Sequence, residues 1–384
     1  MAKRVRVVRW GIPVAAVAVV AAAVGAGPVI ASVGGEPSLP GRTAEQLLAD
    51  VARTWQHGPM PQMSGTIVET ASLGLPTLPG LSGPGPSGAT PVSLLSGSHQ
   101  LKIWYAGENR FRLMLPGEMS ETDLIADGDT VWLWDSAANK ATRLTAPAAS
   151  GGTATPFPLP SRPASLPATP EQAAREALKA AGTDTAISVG DVVTVAGRAA
   201  YQLVLTPKSP DSLVRDVRVA LDGERLMPLR VQVYAKGAAE PAFEVGFETL
   251  SFTSPAPENF AFTPPPGAKV EEGVDVPAAG RRPEIAPGAH DGAHDGSRVV
   301  GSGWDSVLVA PLPAATDGKQ SERNGKGPDV AALLGGVSSA ATPVSGEWGS
   351  GRLLRTKVVS ILITDDGRLL AGAVTPDALY RAAR

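Results

Sequence analysis

The residues best suited to chemistry in this chain are two histidines four positions apart, His290 and His294, each followed by an aspartate. On a helix this spacing would bring both rings to one side, as in many zinc sites. The pair lies in a Gly- and Pro-rich segment, where no rigid frame would hold ligands in place. We therefore predict that it is not a metal site, and we expect no cofactor.

Other catalytic patterns are missing from the sequence. Cysteine is absent, which excludes disulfides, thiolate catalysis and thiolate metal sites. A Gly-x-Ser-x-Gly elbow between a strand and a helix does not occur, and Gly301-Ser-Gly303 and Gly349-Ser-Gly351 are too short for one. No Gly-rich phosphate loop follows a strand. We predict that the protein is not an enzyme.

Length, composition and charge narrow the class of protein further. At 384 residues the chain exceeds one typical domain of roughly 100 to 200 residues, so we expect two domains. The net charge is -3 and charged residues make up only 18%, so nothing attracts nucleic acid and none is expected as a partner. Gly and Pro are abundant but clustered, which indicates long loops around ordered strands.

The N-terminus has the layout of an export signal. Basic residues from Lys3 to Arg9 precede an apolar run at 12–31, which ends in the small-residue segment Val29-Ile30-Ala31. We predict a signal peptide at 1–31, with an uncleaved membrane anchor as the alternative, because about 20 apolar residues can span a bilayer. The rest of the chain is then extracytoplasmic, in the cell envelope or secreted.

The region after the signal reads as one helix followed by antiparallel strands. A capping box at Thr43-Ala-Glu-Gln46 opens an amphipathic helix. In the later strands apolar residues alternate with polar ones, as in an antiparallel sheet with one wet face. We interpret the apolar positions as candidates for lining a cavity: Leu101, Ile103, Phe111, Leu113, Leu115, Leu203, Leu205, Val217, Val219, Val231, Val233, Phe243, Val245 and Phe247.

One strand breaks the alternation. Val131-Trp-Leu-Trp134 is apolar on both faces, so it is either covered from both sides or has one face against a ligand. For Trp132 and Trp134, core packing and ligand contact are equally supported by the sequence, and both residues join the cavity candidates.

Composition divides the rest of the chain. Gly-, Pro- and Ser-rich stretches at 73–91 and 146–168 predict loops, and a helix is predicted at 171–181 after Thr169-Pro. A Pro/Gly-rich linker is predicted at 273–298, followed by a small α+β domain at 299–384. Within that domain we predict a strand at 304–310, a short helix at 329–334, one strand or two at 352–364, a hairpin turn at Asp365-Asp-Gly367, and a terminal helix after Thr375.

Four motifs occur in order along residues 40–272. Two strand-turn-strand segments run over 101–113 and 124–135, the second with Asp127-Gly128 as its turn. A strand ends in Leu205-Thr-Pro207, and the last motif reads Phe-x-Phe followed by prolines and Pro-Gly. We predict structural roles for its residues, with both Phe side chains on one side of an extended strand: Phe260, Phe262, Pro264, Pro265 and Gly267.

This ordered set resembles the LolA-type lipoprotein carrier family and its relative RseB, within a LolA/LolB/RseB-like superfamily. The resemblance implies a mainly β (α+β) fold, in which a strongly curved antiparallel half barrel is closed by helices over an apolar cavity. It also implies a non-enzymatic carrier that binds the acyl chain of a lipid or lipoprotein. The alternative that it implies is an RseB-like sensor whose partner is a membrane signalling protein.

The chain departs from the family pattern at one point. LolA-type carriers have an Arg shortly after the strand that here reads Ile103-Trp-Tyr105, and it is associated with passing cargo onward. This chain has Ala106-Gly107 there, and Arg110 lies at a different spacing. Lipid binding is therefore predicted, whereas transfer of whole lipoproteins to an outer membrane is not.

Overall fold

The structure is a computed structural model that describes residues 38–57, 60–75, 96–117, 119–145, 184–272, 297–312 and 340–384. Several predicted features lie outside these residues. They are the signal segment, the histidine pair, the helices at 171–181 and 329–334, the loop at 146–168, and nearly all of the predicted loop at 73–91 and linker at 273–298.

Among the described residues, one sheet contains thirteen strands in the order β13-β6-β5-β4-β3-β2-β1-β12-β11-β10-β9-β7, with β8 paired to β9. All neighbours are antiparallel except β13 and β6, which run parallel. The predicted mainly β, half-barrel-like fold is confirmed. The strands are β1 Met63–Ser72, β2 Ser96–Gly107, β3 Arg110–Pro116, β4 Glu121–Asp127, β5 Thr130–Asp135, β6 Lys140–Thr145, β7 Thr185–Val189, β8 Val193–Val195, β9 Arg198–Pro207, β10 Val214–Asp222, β11 Pro228–Ala235, β12 Phe243–Ser251 and β13 Lys269–Glu272.

Strand register brings the alternating apolar residues to one face. Ile103 lies opposite Leu113, and Val219 lies opposite both Leu203 and Val231. Because directly opposed residues share a face of a sheet, the apolar positions form one continuous surface. We call this the inner face, since its residues make up the main hydrophobic core. The outer face carries polar and charged residues together with several tryptophans.

The N-terminal helix α1, Ala44–His57, covers part of the inner face. Its capping box forms as predicted: the Thr43 amide donates to Gln46 Oε1 (2.9 Å) and the Gln46 amide donates to Thr43 Oγ1 (3.2 Å). Leu47 is fully buried in the core. The segment before the helix is held by the Tyr201 hydroxyl, which donates to the Pro40 carbonyl at 3.0 Å.

The Phe-x-Phe segment is not the extended strand that we predicted. Pro257–Asn259 is a turn of 3-10 helix, and Phe260 closes it by donating its amide to the Pro257 carbonyl. The prolines that follow have no amide hydrogen to give to a sheet ladder, which explains why no strand forms here. The segment instead turns at Gly267, with φ of +82°, and enters β13.

The described residues from 297 onward form a second sheet of six strands in the order β14-β15-β19-β18-β17-β16. Predicted residues 352–364 are two strands, and the hairpin turn at Gly367 is confirmed. The strand predicted at 304–310 begins only at Val307, because Gly303–Asp305 is a 3-10 turn. The elements are β14 Arg298–Val300, β15 Val307–Pro311, β16 Thr342–Gly346, β17 Gly349–Arg355, β18 Ser360–Thr364, β19 Arg368–Gly372 and helix α2 Pro376–Ala383.

The second sheet contacts the first through backbone and side-chain groups that lie outside its strands. The Trp304 indole donates to Thr185 Oγ1 at 2.7 Å, and both residues are buried. The Lys357 amide donates to the Leu73 carbonyl at 2.8 Å, and its neighbour Val358 is buried in the core of the first sheet. The Thr375 amide donates to the Asp211 carbonyl. The loop between β17 and β18 therefore packs on the main core.

Candidate functional site

The inner face of the large sheet is the apolar surface that the sequence predicted. Every candidate from the alternating strands lies on it by register. Part of this set is buried in the core: Ile103, Phe111, Leu203, Leu205, Val217, Val231 and Val245. The rest keep some exposed surface: Leu101, Leu113, Leu115, Val219, Val233, Phe243 and Phe247.

The partly exposed residues extend the core rather than stand apart from it. Leu101, Leu113 and Phe247 pack against buried residues of the same cluster. Leu133, at the same face of β5, is 40% exposed. Within the described residues, apolar side chains at the edge of the inner face are thus partly exposed to solvent. A site for a long aliphatic ligand requires such exposed apolar surface.

Trp132 and Trp134 do not join this surface. They lie on the outer face, opposite Ile125 and Asp123 of β4, whereas Val131, which precedes Trp132, packs on the inner core. Phe262 sits over both indoles, with ring centroids 5.7 and 5.8 Å away. The two tryptophans therefore pack against Phe262 on the outer face, whereas the inner face of β5 is only partly covered at Leu133.

The motif residues lie in turns, at strand ends or in the segment before β13, and they differ in burial. Phe260 is 1% exposed. Gly128 turns between β4 and β5 with φ of +65°, and its amide donates to the Asn109 carbonyl. The Gly267 carbonyl accepts from Asn139 Nδ2 at 3.0 Å. Of the other motif residues, Pro207 is buried at the end of β9, Pro264 is half-buried, and Asp127 and Pro265 are exposed.

Arg110 does not present a free guanidinium to cargo. Its Nε donates to Asp127 Oδ1 at 3.1 Å, in a pair with both side chains about half exposed. The pairing anchors the β2–β3 turn to the β4–β5 turn.

Sequence reasoning missed one charged residue on the inner face. Glu69 of β1 is 1% exposed, and neither carboxylate oxygen has a hydrogen-bond partner. Burial raises the pKa of Glu69 from its ordinary value of 4.5 to about 7. The available signal was its position: Ile67, Glu69 and Ala71 alternate along one strand, so the acid occupies a place where the pattern expects an apolar residue.

The outer face has two further features. Arg112 forms an ion pair with the buried Asp123, and burial raises the pKa of Asp123 although Arg112 opposes the shift. A separate pocket of about 320 Å³ opens where β1, β2 and β12 meet, and its lining mixes hydroxyl groups with apolar groups, with Lys102 and Trp104 at its side.

Two other observations concern the described residues only. No group of three or more His, Asp or Glu residues in the described ranges is arranged to hold a metal ion. In that part of the chain there is also no helix that is long and apolar enough to span a membrane.

Comparison with known proteins returns structures but no families. No family model matches the chain, and no curated protein matches it. The chain is similar to the solved complex of MucA and MucB from Pseudomonas aeruginosa, with 14% identity, a TM-score of 0.42, and coverage of 88% of this chain and 96% of that one.

Two shorter proteins are also similar. A conserved protein from Thermus thermophilus is 10% identical with a TM-score of 0.32, covering 60% of this chain and 99% of its own. A LolA-superfamily protein from Nitrosomonas europaea is 10% identical with a TM-score of 0.21, covering 58% of this chain and 99% of its own.

Proposed function

We propose that this protein binds the acyl chain of a lipid or lipoprotein on the inner face of its large sheet. The observation that carries the proposal is the continuous apolar surface of the inner face, in which residues such as Leu113 and Phe247 continue the core but stay partly exposed. Burial of a ligand methylene there would contribute about 0.8 kcal/mol. A chain of ordinary length therefore suffices for stable binding without any polar contact.

The proposed function also concerns where the protein acts and how it acts. The N-terminal export signal puts the protein outside the cytoplasmic membrane, either free or held by that segment as an anchor. The protein would act without catalysis, because binding needs only the apolar face. Its partners would be lipids and, in the alternative below, a membrane protein.

Lipid that accompanies the purified protein tests this function. The chain from Ser32 to Arg384, which keeps every described residue, should carry acyl lipid in near-equimolar amount when purified without detergent and analysed by native mass spectrometry. Denaturation should release the lipid for identification. A protein that is lipid-free and also takes up no lipid on incubation with membrane extract contradicts the proposal.

A second function, a sensor that contacts a membrane signalling protein, is favoured by the packing of the C-terminal module. Val358 and Trp304 of that module belong to the core of the large sheet. Occupancy of the inner face would then change the surface on which the module rests. A gene for a sigma or anti-sigma factor beside the gene of this protein would favour the sensor, and a neighbouring lipid-transport gene would favour the carrier.

A further inference from the structure

Glu69 is the polar group of the inner face for which the fold provides no partner. It lies in the middle of β1, between Ile67 and Ala71 on the same face, with Val245 opposite on β12 and His99 opposite on β2. Both carboxylate oxygens lack a hydrogen bond, although the side chain is 1% exposed. A buried acid without a donor destabilises a fold, so its presence calls for a reason.

From this geometry we propose that Glu69 is the anchor for a positively charged amine in the head group of the bound amphiphile. The inference rests on the proposed function, since it places the ligand's chain on the same face. An ammonium group brings the hydrogen-bond donors that the carboxylate lacks, and a charge-assisted hydrogen bond is stronger in an apolar setting than in water. The hydrocarbon chain would then lie along the apolar residues beside it.

The surroundings of Glu69 suit this role. The residues diagonal to it on β12, Phe243 and Phe247, are apolar and partly exposed, so the acid has an apolar approach. His99 is the titratable group that faces it from β2, and its Nε2 lies 3.0 Å from the Ser96 carbonyl. From the β17–β18 loop, Lys357 binds Ser72 Oγ at 2.6 Å near the end of β1. Among the described residues of β1 and β12 on this face, no other charged group lies next to Glu69.

The protonation of Glu69 gives the site a pH dependence. Because burial raises its pKa to about 7, the carboxyl is mostly neutral at pH 5 and mostly ionised at pH 8. An alkylamine stays protonated throughout this range. Affinity for an amine should therefore rise with pH.

Three ligands of equal chain length test the inference on the chain from Ser32 to Arg384: dodecylamine, dodecanol and dodecanoate. At pH 8 dodecylamine should bind about tenfold more tightly than dodecanol, the effect expected of a hydrogen bond to a charged group. Dodecanoate should bind more weakly than dodecanol because the two carboxylates repel. At pH 5 the preference for the amine should shrink to about twofold or less.

The variant Glu69→Gln separates this inference from the proposed function. It should lose the preference for dodecylamine over dodecanol at pH 8, whereas the exposed control Glu248→Gln should keep that preference. Equal binding of amine and alcohol by the parent, or an unchanged preference in Glu69→Gln, overturns the inference while the acyl-binding function stands. Failure of all three ligands to bind overturns both.

Discussion

Replacing Phe260 by Ala should destabilise the large sheet by about 3–5 kcal/mol, the usual loss when a buried Phe is truncated. The side chain is 1% exposed and is the bulkiest of the fully buried ones. A loss of this size is a large part of the roughly 5–15 kcal/mol that stabilises a typical domain. Thermal and urea unfolding, followed by circular dichroism, would measure it.

Phe262→Ala is the matched control for that substitution. Phe262 is half-buried and packs on Trp132 and Trp134, so its truncation should cost clearly less than that of Phe260. Substituting His290 or His294 by Ala should leave stability unchanged, with or without a chelator. A Phe260→Ala protein as stable as the parent would mean that the segment after β12 does not close the sheet as described.

Glu69→Gln should stabilise the protein at pH 8 by on the order of 3 kcal/mol and leave its stability unchanged near pH 4. The pKa of Glu69 is raised from 4.5 to about 7 on folding. Each unit by which the pKa rises corresponds to about 1.4 kcal/mol of stability lost when the carboxyl is ionised. Below pH 4.5 the carboxyl is neutral in both states. As the pH rises towards 7 the unfolded chain ionises more easily than the folded one, so the parent loses stability that the Gln variant keeps.

Urea unfolding of both proteins at several pH values between 4 and 8 would reveal this difference. The free energies of unfolding should diverge between about pH 4.5 and pH 7 and stay a constant distance apart above that range. Glu248→Gln, at an exposed position of β12, should follow the parent at every pH. A constant difference between Glu69→Gln and the parent, or none at all, would show that the carboxyl is not held in an apolar environment.

The sequence predicted those parts of the fold that depend on local pattern. Alternation placed Ile103, Leu113 and Val231 on one face because cross-strand pairing preserves the period of two. The capping box at Thr43 predicted the start of α1, since both of its hydrogen bonds are local. The hairpin at Gly367 followed from its turn residues for the same reason.

Features that depend on distant parts of the chain were not predictable in this way. The outward position of Trp132 and Trp134 depends on which face Phe262 covers, more than a hundred residues later. The burial of Glu69 depends on strands β2 and β12 together, which pair with β1 from distant parts of the chain. The packing of Val358 on the main core likewise has no local signature.

The central claim, that the inner face binds acyl chains, is tested most directly by one paired titration. A long-chain alcohol labelled with pyrene is added to the parent, to Leu113→Glu on the inner face, and to Val270→Glu, whose side chain is 51% exposed on the edge strand β13. All three proteins are first shown to be folded by circular dichroism. Saturable binding by the parent and by Val270→Glu, with at least tenfold weaker binding by Leu113→Glu, is the result that we predict. Equal binding by all three, or no saturable binding by the parent, would contradict the claim.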